Sequence, residues 1–396
     1  MRLVAVNYFF LFSSVAVVIP HLQLFFQAQG FSPSRVGLLL GTFEMAGVAG
    51  PLLIGHLADR KGRYRGAILL CVAAYVGAIT VMNALPALAV VLPLAALFGF
   101  AFKTTVPLTD ALSSQLMHDP REQYGRVRMV GSVGFIATSL FLQVTGVIDG
   151  SSTGQILAGI LIVAALYTGA VLTFPKLQSR PRSHHESEAA YGSLGRDFWL
   201  FIVIVFIGRI GISAYYSFFS IYLQQEVGVT VVSGVWALGA LAEIPVIFFS
   251  GRLVRTLGVL RMITIAFLAL ILRLVIFALA PIPAVVIPAQ LLHALTFGFF
   301  HGASIAYINA RVPGTRRGLG MAIYNASALG LSIFIGSSLG GVIIQELGFS
   351  ALFLLYTIPP AVSILLLLVL RRQIKTPAGV AGVSMKELLP TWSRTR

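Results

Sequence analysis

Apolar runs of about 20 residues recur from one end of this 396-residue chain to the other, separated by short polar breaks. A helix of that length crosses the roughly 30 Å hydrocarbon core of a bilayer. The runs predict twelve spans, at about 4–27, 34–57, 66–84, 88–112, 128–148, 154–174, 198–223, 229–250, 260–280, 284–308, 318–343 and 349–370. Strand-like alternation is absent, and an open sheet cannot satisfy its backbone in lipid, so every span is expected to be helical. The expected fold class is an all-α membrane protein with no separate soluble domain.

The longest polar break, 175–197, divides the pattern into an N-terminal bundle of six spans (1–174) and a C-terminal bundle of six (198–370), followed by a tail at 371–396. His184 and His185 fall in the break, where a solvated linker is the better reading, because two adjacent histidines make a poor metal site without further ligands. The halves look related. Gly55-His-Leu-Ala-Asp-Arg-Lys-Gly62 follows the second span and Gly251-Arg-Leu-Val-Arg-Thr-Leu-Gly258 the eighth, 196 residues later. Glu44 and Glu243 stand at nearly equivalent depths in those spans. Weak internal repetition of this kind marks transporters whose substrate site lies between the halves near the midplane.

Composition agrees: 57% of residues are hydrophobic and only 10% charged, with a net charge of +15 and a mean hydropathy of +0.91. A basic protein of ordinary composition would suggest nucleic acid; here the placement of charge excludes it. Of the 28 lysines and arginines, 24 fall in alternate breaks or at the termini; Arg35 lies in an outer break, and Lys103, Arg209 and Arg273 lie within spans. By the positive-inside rule both termini are cytoplasmic, which requires an even number of spans. Cys71 is the single cysteine, so no internal disulfide is possible. The first apolar run lacks a small-residue cleavage site before a soluble domain and is expected to remain as an uncleaved span.

The stretch from Gly55 to Arg63 resembles the signature loop of the major facilitator superfamily. A narrower resemblance, to the phenylpropionate-permease branch related to lactose permease, is carried by Pro107-Leu-Thr-Asp-Ala111, Tyr124-Gly-Arg-Val-Arg-Met-Val-Gly-Ser-Val-Gly-Phe135, Ala242-Glu-Ile-Pro-Val246 and Leu292-His-Ala-Leu-Thr-Phe297. The resemblance implies the major facilitator fold of two pseudo-symmetric six-helix bundles. It also implies alternating access driven by proton symport, with substrate in a central cavity. Arg128 looks like an arginine that contacts substrate in that family, and Glu243, Arg273 and His293 look like its buried proton-coupling cluster. Thr296 stands where lactose permease carries a coupling carboxylate, so a proton carrier here must be another acid.

The charges within the spans are Glu44, Lys103, Asp110, Arg209, Glu243 and Arg273. Each costs a few kcal/mol at a helix centre and is expected to face the interior with a partner. Structural pairing alone is the competing reading. Glu243, beside Pro245, is the first candidate for the proton carrier, alternately paired with Arg273 and released. Asp110 is the second, with a lock to Arg126 or Arg128 as its bland alternative. Lys103 precedes Asp110 by seven residues, on the same face but roughly 10 Å away along a straight helix. It could instead hold a substrate anion, as could Arg209 with Tyr215 and Tyr216 nearby. An aromatic carboxylate would use such cations and an aromatic wall. Asn7, Asn309 and Asn325 are candidate cavity donors, and Glu44 a candidate substrate contact. His21 and His301 read as packing residues.

Asp59 closes the second span where the eleventh begins near Gly318. The positive end of that helix would favour it, so Asp59, with Gly55, Gly62 and Arg63, is expected to gate the cytoplasmic side. Glycines such as Gly37, Gly41, Gly47, Gly336, Gly340 and Gly341 suit helices in close contact. No Gly-x4-Gly-Lys-Ser/Thr occurs, so ATP is not the expected energy source, and no cofactor is implied. The expected partners are a small organic solute, protons and the bilayer of the inner cell membrane, and the expected state is a monomer. Export of amphipathic compounds remains an alternative, weakened by the missing Gly-Pro element of proton antiporters in the fifth span. A membrane sensor or enzyme lacks any supporting motif.

Overall fold

A computed structural model describes residues 1–117, 120–174, 194–313, 316–380 and 382, the side chains of 120–123, 125, 126 and 378 excepted. His184, His185, most of the linker and most of the tail fall outside the described residues. The chain is helical throughout: α1 (Arg2–Ala28), α2 (Pro33–Lys61), α3 (Tyr64–Ala84), α4 (Leu88–Ser114), α5 (Pro120–Thr145), α6 (Thr153–Leu172), α7 (Arg196–Gln225), α8 (Ser233–Leu257) and α9 (Val259–Leu279). They are followed by α10 (Pro283–Arg311), α11 (Arg317–Tyr324), α12 (Ser332–Leu355) and α13 (Ile358–Leu370). Among the described residues, 11 helical stretches are long and apolar enough to cross a membrane. The eleventh, Arg317–Leu370, is 54 residues long and is broken at Gly348, whose φ of 82° no helix accommodates. The two last predicted spans therefore run together as one apolar stretch with a sharp bend.

Apolar side chains face outward over the body of the protein; Val144 is 85% exposed and Phe248 75%. A water-soluble monomer does not present such a surface, whereas lipid tails cover it. The repeated loop motif is visible in the backbone. Gly62 and Gly258 end α2 and α8 with φ of 62° and 79°, the left-handed turn that a side chain would resist.

The two halves are joined at the end opposite the basic loops. There α2 and α12 touch through glycines: Gly37 lies against the Ser337 carbonyl, Gly41 against Phe334, and Gly341 against the Pro33 backbone. Side-chain amides add hydrogen bonds across the seam. Ser220 N–H donates to Gln23 Oε1 (2.9 Å) and Gly234 N–H to Gln143 Oε1 (2.8 Å). Gln224 donates to the Asp149 carbonyl (2.5 Å), and Ser34 donates to Gln345 (2.7 Å). His21, fully buried, donates from Nδ1 to the Val17 carbonyl (2.8 Å) and meets Ser233 through Nε2 (3.2 Å). The Asp149 loop is itself braced: Ser151 donates its N–H and hydroxyl to the carboxylate, which holds that acid below the usual range.

Toward the basic loops the arrangement differs. One apolar core there, built around Phe201, Ile263, Phe300, Tyr307 and Tyr324, is drawn from α7 and later helices alone. The bidentate pair of Arg311 with Asp197 ties α10 to α7 within that half. Asp59 and Arg63 are exposed, and Asp59 accepts a hydrogen bond from Tyr64. Gly55 and Gly62 are half-buried in the same region. The expected approach of Asp59 to the start of α11 is not made in this conformation.

Filling the glycine seam tests its role. Gly341→Leu would drive a side chain into the Pro33 backbone, and overpacking of this kind costs about 1–3 kcal/mol. The expected outcome is a lower unfolding temperature in detergent, whereas Gly77→Leu, at a site with open space around it, should leave that temperature unchanged.

Candidate functional site

Between the halves lies a cavity of about 690 Å³, whose wall includes Glu44 of α2, Lys103 of α4, Arg128 of α5, Arg209 of α7, Glu243 of α8 and His293 of α10. Tyr215, Tyr216, Trp236, Phe12, Phe135 and Phe297 supply aromatic surface. Glu44, Lys103, Arg128, Arg209, Tyr215, Tyr216, Glu243 and His293, all singled out from the sequence, thus converge on one chamber, although they come from six helices.

On the first-half side, Lys103 forms an ion pair with Glu44. The lysine stem lies over Gly47, where a β-carbon would strike it, and its ammonium sits 5.2 Å from the Phe43 ring centroid. Lys103 and Asp110 do not meet. Asp110 instead accepts a hydrogen bond from Tyr8, with Arg128 and Tyr124 near enough to act on it electrostatically. Arg128 lies flat against Phe12, 4.0 Å from the ring centroid. The Arg126 side chain is not among those described.

On the second-half side a hydrogen-bonded chain runs inward. His293 Nε2 is 2.7 Å from Glu243 Oε1, and Arg273 Nη1 is 3.1 Å from His293 Nδ1. Arginine only donates, so Nδ1 accepts and Nε2–H donates to the carboxylate; the contacts assign this tautomer. Arg273 is completely buried, donates to Gln290 and Thr296, and stacks on Tyr215 at 3.8 Å. The expected direct pair of Glu243 with Arg273 is therefore replaced by one in which the imidazole stands between them. Thr296, noted for its missing carboxylate, supplies a hydroxyl to Arg273.

Arg209 is different. It is only 4% exposed, its Nε donates to the Ala328 carbonyl (3.1 Å), and its guanidinium lies 5.7 Å from Tyr216 and 5.1 Å from Phe300. No carboxylate pairs with it among the described residues, and its Nη1 has no hydrogen-bond partner. A buried cationic N–H without an acceptor is costly, and Arg209 lines the cavity.

Not all expectations lead to the cavity. Asn7 is fully buried elsewhere; its amide donates to the carbonyls of Leu3 (3.0 Å) and Ala170 (2.9 Å), pinning α1 to α6. Asp110 and Arg273 stand behind the wall rather than in it, Asn309 is exposed, and Asn325 does not line the chamber. His301, read from sequence as packing, does line it. His293, Phe297 and His301 stack along α10 with ring centroids 5.8 and 5.2 Å apart, a spacing of four residues that places rings on one helix face. That spacing was the available signal. No comparable signal marks the π-helical turns at Ala294–Phe299 and Asn325–Leu331, which widen the backbone beside the cavity, as such turns often do at functional sites.

Comparison with known proteins adds relatives along the whole length. Residues 1–355 match the model of the MFS_1 like family. The chain is 29% identical over 361 residues to an Escherichia coli protein described as "Probable 3-phenylpropionic acid transporter", covering 88% of this chain and 92% of that one. It is 24% identical over 379 residues to the maltose permease of Geobacillus stearothermophilus, covering 93% and 94%. Its fold resembles that of a point mutant of the nucleoside transporter NupG, with a TM-score of 0.82 at 15% identity over 93% of this chain and 98% of that one.

Trp236 reports on the chamber directly. A ligand that enters is expected to change tryptophan fluorescence, and Trp236→Phe to abolish the change. Asn7→Leu is expected to lose about 1–2 kcal/mol of stability while leaving the ligand-induced signal intact.

Proposed function

The chain belongs to the MFS_1 like family of multi-pass membrane transporters, and on that premise we propose that it is a proton-coupled symporter of small aromatic carboxylates. The observation that carries this reading is Arg209: a buried guanidinium on the cavity wall, unpaired by any described carboxylate and bordered by aromatic rings. A mostly apolar chamber with few polar anchors suits a small organic ligand, and a carboxylate would complete the arginine's hydrogen bonds. Tyr215, Tyr216, Trp236 and Phe135 would enclose the ring, with Arg128 a second cation on the wall. The name carried by the Escherichia coli relative points the same way.

Proton coupling follows from charge balance. Arg209 and Arg273 against Glu243 leave the second-half cluster with one excess positive charge while His293 is neutral. A bound carboxylate together with a proton on Glu243 restores that same excess, so the loaded and empty chambers present equal charge during reorientation. His293 holds Glu243 in place and separates it from Arg273, and Asp110 is the second acid available. Alternating access would be carried by two six-helix bundles, 1–174 and 198–370, joined by the linker 175–197, with twelve passes and both termini in the cytoplasm. The positive-inside distribution supports this orientation. In it, the glycine and glutamine seam forms the outer closure, and the chamber faces inward. In the opposite state Asp59 would reach the start of α11 and, with Gly55, Gly62 and Arg63, close the cytoplasmic side.

A screen of aromatic acids, sugars and nucleosides against the purified protein is expected to yield binding by an aromatic acid. Arg209→Gln should weaken that binding at least about tenfold, in line with the loss of a charge-assisted hydrogen bond. In proteoliposomes an inwardly directed proton gradient should drive accumulation of the acid, and Glu243→Gln should abolish accumulation while sparing exchange. Equal uptake with and without the gradient, or outward pumping, would remove the symport reading.

A further inference from the structure

The Glu44–Lys103 pair has no role in the reading above, and its chemistry is specific. Both groups line the cavity, and their side chains are 18% and 29% exposed. The lysine gives one N–H to Glu44 Oε2 and turns part of its surface to Phe43. An ammonium has three N–H donors and a carboxylate has two oxygens. Among the described residues, the remaining Lys103 donors and Glu44 Oε1 have no hydrogen-bond partner in the protein. The pair therefore presents a donor and an acceptor side by side to the chamber, from α2 and α4, whereas Arg209 comes from α7.

We propose that this pair is a second polar subsite that takes a neutral hydroxyl group, and that the preferred substrates are aromatic monocarboxylates bearing a hydroxyl on the ring. The hydroxyl accepts a hydrogen bond from Lys103 and donates one to Glu44, so both residual groups are satisfied without separating the ion pair. A charged group would fare worse. A second carboxylate on Lys103 leaves Glu44 uncompensated, and a ligand ammonium on Glu44 leaves Lys103 uncompensated. Either outcome leaves one charge of a partly buried pair uncompensated, which is unfavourable. An unsubstituted ring leaves donor and acceptor facing apolar surface, which is also unfavourable.

This inference rests on the aromatic-acid reading, and the experiment separates the two. Dissociation constants are measured by calorimetry on the full-length detergent-solubilised protein for 3-phenylpropionate, its 3- and 4-hydroxyphenyl analogues, and the methyl ethers of both. One hydroxylated acid is expected to bind about tenfold more tightly than the parent. Its methyl ether, which accepts but cannot donate, is expected to lose most of that gain. In the double variant Glu44→Gln, Lys103→Met the hydroxyl preference should fall below about threefold while the parent acid keeps its affinity within about threefold; its retained binding is the folding control. Equal wild-type affinity for parent and hydroxylated acids overturns the subsite, as does a preference that survives in the double variant. The ether comparison needs no variant, so an ether as tight as its phenol also overturns it. If no acid of the set binds at all, the reading of the cavity itself falls.

Discussion

Everything in this protein is organised around the expense of holding charge away from water. A lone ion in a low-dielectric interior costs several kcal/mol, and it is tolerated only when paired or hydrogen-bonded. The described charges inside the spans obey this. Lys103 has Glu44, Glu243 has His293, and Asp110 has Tyr8. Arg273 is held without a carboxylate of its own by Gln290, Thr296, His293 and the face of Tyr215. Arg209 likewise has no carboxylate, and its Nη1, like Nε of Arg273, has no hydrogen-bond partner among the described residues; of the two arginines, Arg209 lines the cavity. That placement, rather than the missing partner alone, is the physical basis for proposing an anion there.

The internal repeat gives the chamber a second regularity. Glu44 on α2 pairs with a base on α4, and Glu243 on α8 pairs with a base on α10. The two pairs occupy corresponding helices of the two halves, yet their chemistry has separated. Lysine offers a fixed ammonium that a carboxylate neutralises in place. Histidine offers two nitrogens that donate and accept in turn, so its carboxylate is linked onward to a buried arginine.

Backbone irregularity is placed to serve the same chamber. The glycine contacts between α2 and α12 hold one end shut without large side chains, which lets helices approach where apolar burial provides no drive. The π-helical turns sit at mid-height on α10 and between α11 and α12, beside His293, Phe297 and Arg209's acceptor Ala328. The contacts between the halves at that end are thus made largely by amides and small residues, while Glu44, Lys103, Arg209 and Glu243 line the chamber.

The amino-acid order alone was enough to establish the helical membrane fold, the positions of nearly all spans and the set of charged residues that lie within them. Those follow from one-dimensional quantities: run length against bilayer thickness, the bias of lysine and arginine, and the scarcity of ions within apolar runs. It also exposed the Gly55–Gly62 and Gly251–Gly258 repeat, because a helix end with positive φ favours glycine. Partner choice was beyond it. Whether Glu243 would meet Arg273 or His293, whether Lys103 would stand free or against Glu44, and whether Asn7 would face the chamber or the carbonyl of Ala170 all depend on rotation of one helix against another. A turn of 100° per residue moves a side chain from cavity to lipid within two positions. Only packing in three dimensions settles that angle, and with it which cations are left without a carboxylate.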